Sequence, residues 1–206
     1  LDSVNTDTFA RMTRGGSLAR VLAGIDAARN AGLGPIKINA VLLEGENDHE
    51  LEEIITHFSA HAADTHLRFI EYMPFEVRWH QCVTGEALRQ SLEQRWTLEP
   101  VDETLGGSPA VYWRIVETGL RVGFISPLSA RFCGGCNRLR LLSDGHLRTC
   151  LSDDGTESLR TLLRAGASDV ELAEAIRAMV QGKREGHGCE VEGGKVFEGV
   201  MTRVGG

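Results

Sequence analysis

Apolar residues in the first eighty positions recur with two alternating periods. Leu18, Val21, Leu22 and Ile25 fall at i, i+3, i+4 and i+7, the spacing of one helical face, with Ser17 placed to cap its start and Gly32 where it would stop. The run "IKINAVLL", Ile36 to Leu43, is rich in branched residues and reads as a strand. Asn47 or Asp48 can cap a second helix carrying Leu51, Ile54, Ile55 and Phe58, and "HLRFIEYM", His66 to Met73, reads as a second strand. Helix, strand, helix, strand predicts parallel pairing and an α/β class. A complete barrel of eight such units needs roughly 250 residues, so two units make a sector of an incomplete TIM-type barrel.

After the strand-ending proline of "MPFEVRW" the pattern changes, which places a boundary between residues 80 and 81. A short helix is predicted over Gly85 to Trp96, with Leu88, Leu92 and Trp96 on one side. The runs "AVYWRIV" and "RVGFIS", with "ETG" between them, read as an antiparallel hairpin that leads into a cysteine-rich segment. Leu159, Leu162 and Leu163 suggest a helical turn or two, and Ser168 with Glu171 forms a capping box for a helix through Leu172, Ile176 and Met179. The last twenty-five residues are glycine-rich and read as irregular.

Composition narrows the function classes. The 206 residues can bury a sizeable core without disulfides. A formal net charge of −7 disfavours wholesale binding to nucleic acid or to an anionic membrane. Five cysteines, without a signal peptide or a membrane-length apolar run, suggest a reducing cytoplasm and metal chemistry. The chain begins with Leu1, so the amino terminus reads as truncated.

The chemistry concentrates in "FCGGCNRLRLLSDGHLRTC", Phe132 to Cys150, whose spacing is C-x2-C-x13-C. Cys133 and Cys136 can chelate one centre from a tight turn, and Cys150 returns on the far arm of a hairpin turned at "SDG". Gly134 and Gly135 let the backbone close around a metal group. Two readings stand at this point. With His146 as a fourth ligand the site is a closed zinc; with three cysteines alone it is an iron–sulfur cluster with one iron left open. If the chain is extended after Cys136, then Cys136, Arg138 and Arg140 share one face, and Leu139 and Leu141 pack behind them. An R-x-R pair is commonly a solvated edge, but four arginines against one aspartate over Arg131 to Arg148 imply a negatively charged ligand such as a nucleotide.

That segment resembles the carboxy-terminal cluster motif of the GTP 3′,8-cyclases, the radical S-adenosylmethionine enzymes that begin molybdenum-cofactor biosynthesis. The resemblance runs through "LDSVNTDTFARMT", "VLAGIDAARNAGL", "IKINAVLLEGEND", "LRFIEYMP", "SPAVYWRI", "GFISPLSARFC" and the closing "VGG", in the same order. It implies that residues 1–80 are the carboxy-terminal part of the partial barrel. Residues 81–206 would be the family's carboxy-terminal domain with its auxiliary cluster.

The resemblance further implies a [4Fe–4S] cluster on Cys133, Cys136 and Cys150, with GTP at its open iron, and it removes His146 from the ligands. Arg138, Leu139, Arg140 and Lys37 would contact GTP. Arg68 and Met73 would lie near S-adenosylmethionine, and Gly205 and Gly206 would form a tail that reaches the active site. On the strand itself, Lys37 and Asn39 share one face and Ile36 and Ile38 the other, so the polar pair would line the barrel interior. Cys82 and Cys189 match no motif and read as free thiols.

The family's reaction converts GTP to (8S)-3′,8-cyclo-7,8-dihydroguanosine 5′-triphosphate through a 5′-deoxyadenosyl radical, and the pathway's cyclic pyranopterin monophosphate synthase acts on the product. The radical needs a second [4Fe–4S] cluster on a C-x3-C-x2-C motif. No such spacing occurs here, so those cysteines are expected upstream of Leu1, and this chain alone is not expected to catalyse the reaction. The exposed sheet edge of a cut barrel adds a homodimer to the expected partners. Two other classes stay in view: a zinc-stabilised binding module, and the auxiliary-cluster domain of another radical enzyme.

Overall fold

Short polar side chains start the first helices. In this computed structural model, which describes residues 1–73, 82–101, 108–153 and 157–186, Asn5 accepts from the Asp7 and Thr8 amides at 3.0 and 3.1 Å and opens α1 (Thr6–Met12). Ser17 does the same for α2 (Leu18–Asn30), and Gly32, at φ +73°, follows its end. The apolar stripe of α2 is only partly covered: Leu18 is buried while Val21 is exposed.

β1 (Ile36–Ala40) and β2 (Thr65–Ile70) pair in parallel, Ile38 beside Leu67 and Asn39 beside Arg68. Between them lies α3 (Leu51–Ser59), entered through a 3-10 turn at Asp48–Glu50. Neither predicted cap makes a cap hydrogen bond there. Asn47 is buried instead and ties the chain together, accepting from the Leu43 amide at 2.8 Å and donating to the carbonyls of Asp2 and Val41. Asp48 turns back to the Gly45 amide.

α4 (Gly85–Glu93) is capped by Thr84, and β3 (Leu98–Val101), β4 (Val111–Ile115) and β5 (Arg121–Ile125) follow. The predicted hairpin is β4–β5, closed by Gly119 at φ +76°. The sheet order is β1-β2-β5-β4-β3, with β5 parallel to β2 and the β4 and β3 pairings antiparallel, so the sheet continues past the expected boundary at 80/81. By compactness the described chain forms two units that part after Ala130.

In the first unit, register puts Ile38, Ala40, Leu67, Phe69, Val122, Phe124 and Ile115 in one buried cluster. Ile54, Ile55 and Phe58 of α3 and Leu88 and Leu92 of α4 complete it. The opposite face of the same strands carries Lys37, Asn39, His66, Arg68 and Arg121. A mixed α/β layer with one apolar and one polar sheet face is the result.

The second unit contains a 3-10 turn at Cys133–Gly135, a three-stranded antiparallel sheet of β6 (Arg140–Leu141), β7 (His146–Arg148) and β8 (Glu157–Ser158), then α5 (Leu159–Arg164) and α6 (Asp169–Gln181). The predicted "SDG" turn joins β6 to β7, with Gly145 at φ +87°; a Cβ there would meet the Arg160 Cβ at 2.4 Å, so only glycine fits. The predicted Ser168–Glu171 capping box is present. No helix among the described residues is long and apolar enough to cross a membrane.

Candidate cluster and nucleotide site

The second unit presents Cys133 and Cys136 on a backbone turn that few of the described side chains pack around. The Cys136 amide donates to the Cys133 carbonyl at 3.0 Å, and Cys136 itself is already extended. At Gly134 and Gly135 a Cβ would meet nothing within 4 Å. Lys183, just beyond α6, reaches back to this turn: its ammonium donates to the carbonyls of Cys136 and Arg138 at 2.7 and 3.0 Å and lies 3.5 Å from the Cys136 Sγ. Burial pushes the Cys136 thiol up, but the Arg138 backbone, the Lys183 ammonium and the Arg138 guanidinium outweigh it and hold its pKa below the ordinary thiol value.

Arg138 lays its guanidinium over the Phe132 ring, 5.0 Å from the centroid. Arg140 starts β6 opposite Arg148. The leucines expected to pack behind them do not: Leu139 is 42% and Leu141 64% exposed. The strand is only two residues long here, too short to present a continuous apolar face.

Cys150 lies past the end of β7, within 3.3 Å of the Ser152 hydroxyl, and lines a cavity of about 390 Å³ with Thr149, Asp153, Met179, Gly182 and Arg184. Cys133, Cys136 and Cys150 are free and half-buried. Among the described residues no three His, Cys, Asp or Glu side chains are grouped to hold one metal ion, so the three thiols sit on the two arms of the hairpin without converging. His146 pairs with Asp144 at the turn, Nδ1 to Oδ1 3.0 Å.

In the first unit, the polar sheet face brings Lys37 and Arg68 onto neighbouring strands. Arg68 donates through Nε to the Asn39 Oδ1 at 2.7 Å, and Lys37 is exposed on the same face. Met73 is half-buried beyond the end of β2. Just before it, Glu71 is almost wholly buried and accepts from the amides of Gly85, Leu128 and Ser129 at 3.0 to 3.1 Å and from the Ser129 hydroxyl. Cys82 contacts the Tyr72 carbonyl, and burial followed by the charge of Glu71 pushes its thiol up to about 11. Gly205, Gly206 and Cys189 lie outside the described residues.

Comparison with known proteins gives this arrangement a context. The family model described as Radical SAM superfamily matches residues 1–58, and the one described as Molybdenum Cofactor Synthesis C matches residues 65–189. The chain belongs to the Molybdenum Cofactor Synthesis C family. Curated relatives named GTP 3′,8-cyclase include those of Caulobacter vibrioides, 41% identical over 93% of this chain and 55% of the relative, and Rhodopseudomonas palustris, 43% identical over 91% and 54%. That of Corynebacterium glutamicum is 38% identical over 100% of this chain and 56% of the relative. The chain thus spans about half the length of the curated relatives it matches.

Lys37 lies in the segment matched as radical SAM, and Arg68, Met73, Cys133, Cys136, Arg138, Leu139, Arg140 and Cys150 in the segment matched as Molybdenum Cofactor Synthesis C. Sequence reasoning missed Lys183 and Phe132 as partners of Cys136 and Arg138, and Glu71 as a buried anchor of residues 85, 128 and 129. A lone lysine after a helix, in "QGKREG", carries no periodic or motif signal.

Proposed function

We propose that this chain is the carboxy-terminal part of a GTP 3′,8-cyclase and that its cysteine hairpin binds GTP at a [4Fe–4S] cluster. In this reading residues 1–80 belong to the partial barrel of the radical enzyme and 81–206 to the domain that carries the auxiliary cluster. The observation that carries it is a half-buried Cys136 thiol, held below its ordinary pKa beside Arg138 and Lys183 and sharing its hairpin with two further free thiols. Three thiols among cations are the donor types an iron–sulfur cluster takes, so the donor chemistry fits the group, and binding would draw the two arms of the hairpin together. Cys133, Cys136 and Cys150 would hold it, and when bound it supplies one iron without a protein ligand to the substrate.

Every other contribution comes from side chains. Arg138 and Arg140 would hold the nucleotide through planar, charge-assisted hydrogen bonds, with Leu139 between them. Lys37 would add a cation for the triphosphate from the polar sheet face. Arg68 and Met73 would border S-adenosylmethionine, the cofactor that a second [4Fe–4S] cluster serves in the intact enzyme. Gly205 and Gly206 would form the active-site tail. The protein would act in the cytoplasm, pair as a homodimer, and pass its product to the cyclic pyranopterin monophosphate synthase.

Anaerobic reconstitution followed by GTP titration tests this. The expected outcome is a brown chain with about four irons and matching sulfide, as one [4Fe–4S] cluster requires. Its GTP dissociation constant should rise about tenfold or more in Arg138→Ala and Arg140→Ala. One colourless zinc per chain would sink the cluster, and a cluster without GTP affinity would point to a radical enzyme acting on another substrate.

A further inference from the structure

Among the described residues, the turn that carries Cys133 and Cys136 has little packing to hold it. Its glycines face open space, and the leucines that follow are exposed. The β6–β7 ladder ends at Arg140 opposite Arg148, so the Arg138 carbonyl lies beyond the last paired residue. Among the described residues, one side chain from far along the sequence engages this stretch. The Lys183 ammonium takes the carbonyls of Cys136 and Arg138 and approaches the Cys136 Sγ, at 2.7, 3.0 and 3.5 Å. Its neighbours Gly182 and Arg184 line the cavity that also contains Cys150. A three-residue segment thereby borders both arms of the hairpin.

A lysine suits this task because an ammonium has three donors on a tetrahedral centre, one for each acceptor. An arginine fork is planar and meets two acceptors in one plane. A methionine of similar length has no donor at all.

We propose that Lys183 is a positioning residue: its ammonium fixes the Cys136–Arg138 backbone, sets where the ligating thiolate and the substrate-facing guanidinium stand, and places a cation and an N–H donor at the thiolate of the bound cluster. The inference rests on the cluster reading for its last part only. The clamp on the backbone exists without a metal.

The test compares the full chain with Lys183→Met and Lys183→Arg, first metal-free and then reconstituted. In the metal-free chain, hydrogen exchange of amides 133–140 should quicken about tenfold in Lys183→Met, with α6 unchanged and Lys183→Arg between the two. After reconstitution, Lys183→Met should lose iron to a chelator about 10- to 100-fold faster. Its cluster should also have a more negative reduction potential, which Lys183→Arg brings back toward the parent value. Unchanged exchange at the turn overturns the clamp, whether or not iron binds. Faster exchange with an unchanged potential overturns the electrostatic part. A parent chain that takes up no iron, yet whose turn depends on Lys183, defeats the cluster reading and leaves the clamp standing.

Discussion

The two units are held together by different physics. The first stacks helices on one face of a five-stranded sheet, and Ile54, Ile55, Leu67, Leu92, Ile115 and Val122 are entirely inaccessible to solvent. The second, among its described residues, buries a single large apolar side chain, Leu147, and leaves Leu141, Leu163 and Val170 exposed. Its order comes from caps, a glycine turn and the Lys183 clamp. Burial acts over many atoms at once and is indifferent to detail. Polar anchoring depends on a few atoms being in place, which suits a segment whose thiols and guanidiniums must be aimed.

The sharpest way to break this contrast is to remove a large side chain from each unit. Phe58→Ala is expected to cost about 3 to 5 kcal/mol in chemical denaturation, and Leu163→Ala no more than about 0.5 kcal/mol. Comparable losses would mean that the second unit has a core of its own.

Glu71→Ala comes next. It strands buried donors on three amides and a hydroxyl, with an expected loss of about 3 kcal/mol; Glu71→Gln, which keeps one acceptor oxygen, should lose less. A neutral Glu71→Ala would show that polar anchoring contributes nothing inside the first unit.

The smallest expected effect separates two thiols. Thiolate is the reactive form, so a raised pKa means slower alkylation at a given pH and a lowered one faster. At pH 8 in the metal-free chain, Cys82, with its pKa near 11, carries about a hundredfold less thiolate than an ordinary thiol. Its alkylation should accelerate only as the pH climbs toward that value. Cys136 should react ahead of an ordinary thiol. Peptide mapping after iodoacetamide treatment checks the order, and Cys82 reacting first would reverse the electrostatic contrast between the units.

Local signals carried far where one element sufficed. The Ser17 cap, the Ser168–Glu171 box, the "SDG" turn and the apolar faces of α3 and α4 all stand as their spacing predicts. β3 escaped prediction because Glu99 and Pro100 break the strand pattern, and Pro100 is tolerated there because β3 pairs on one side only. Asn47 was read as a helix cap, the commonest use of an asparagine before a helix, whereas three backbone groups, on Asp2, Val41 and Leu43, claim its amide. In the candidate site, the alternation of Lys37 with Ile38 correctly put the lysine on the polar face. The same alternation wrongly put Leu139 and Leu141 against a packed back, since periodicity says which residues share a face but not whether anything covers it.

By itself the sequence determined β1, β2, the β4–β5 hairpin, helices α2 to α6, the polar and apolar faces of β1, the thiol spacing and the family. Those depend on neighbours within a turn or a strand, or on a pattern of residue types. Only the tertiary structure decided that β4 and β5 join β2 in one sheet, that Glu71 bolts β2 to the start of α4 and to residues 128–129, and that Lys183 reaches the Cys136 turn. Those contacts join residues 14 to 58 positions apart. Their partners are chosen by how the whole chain closes on its core, and no local period encodes that choice.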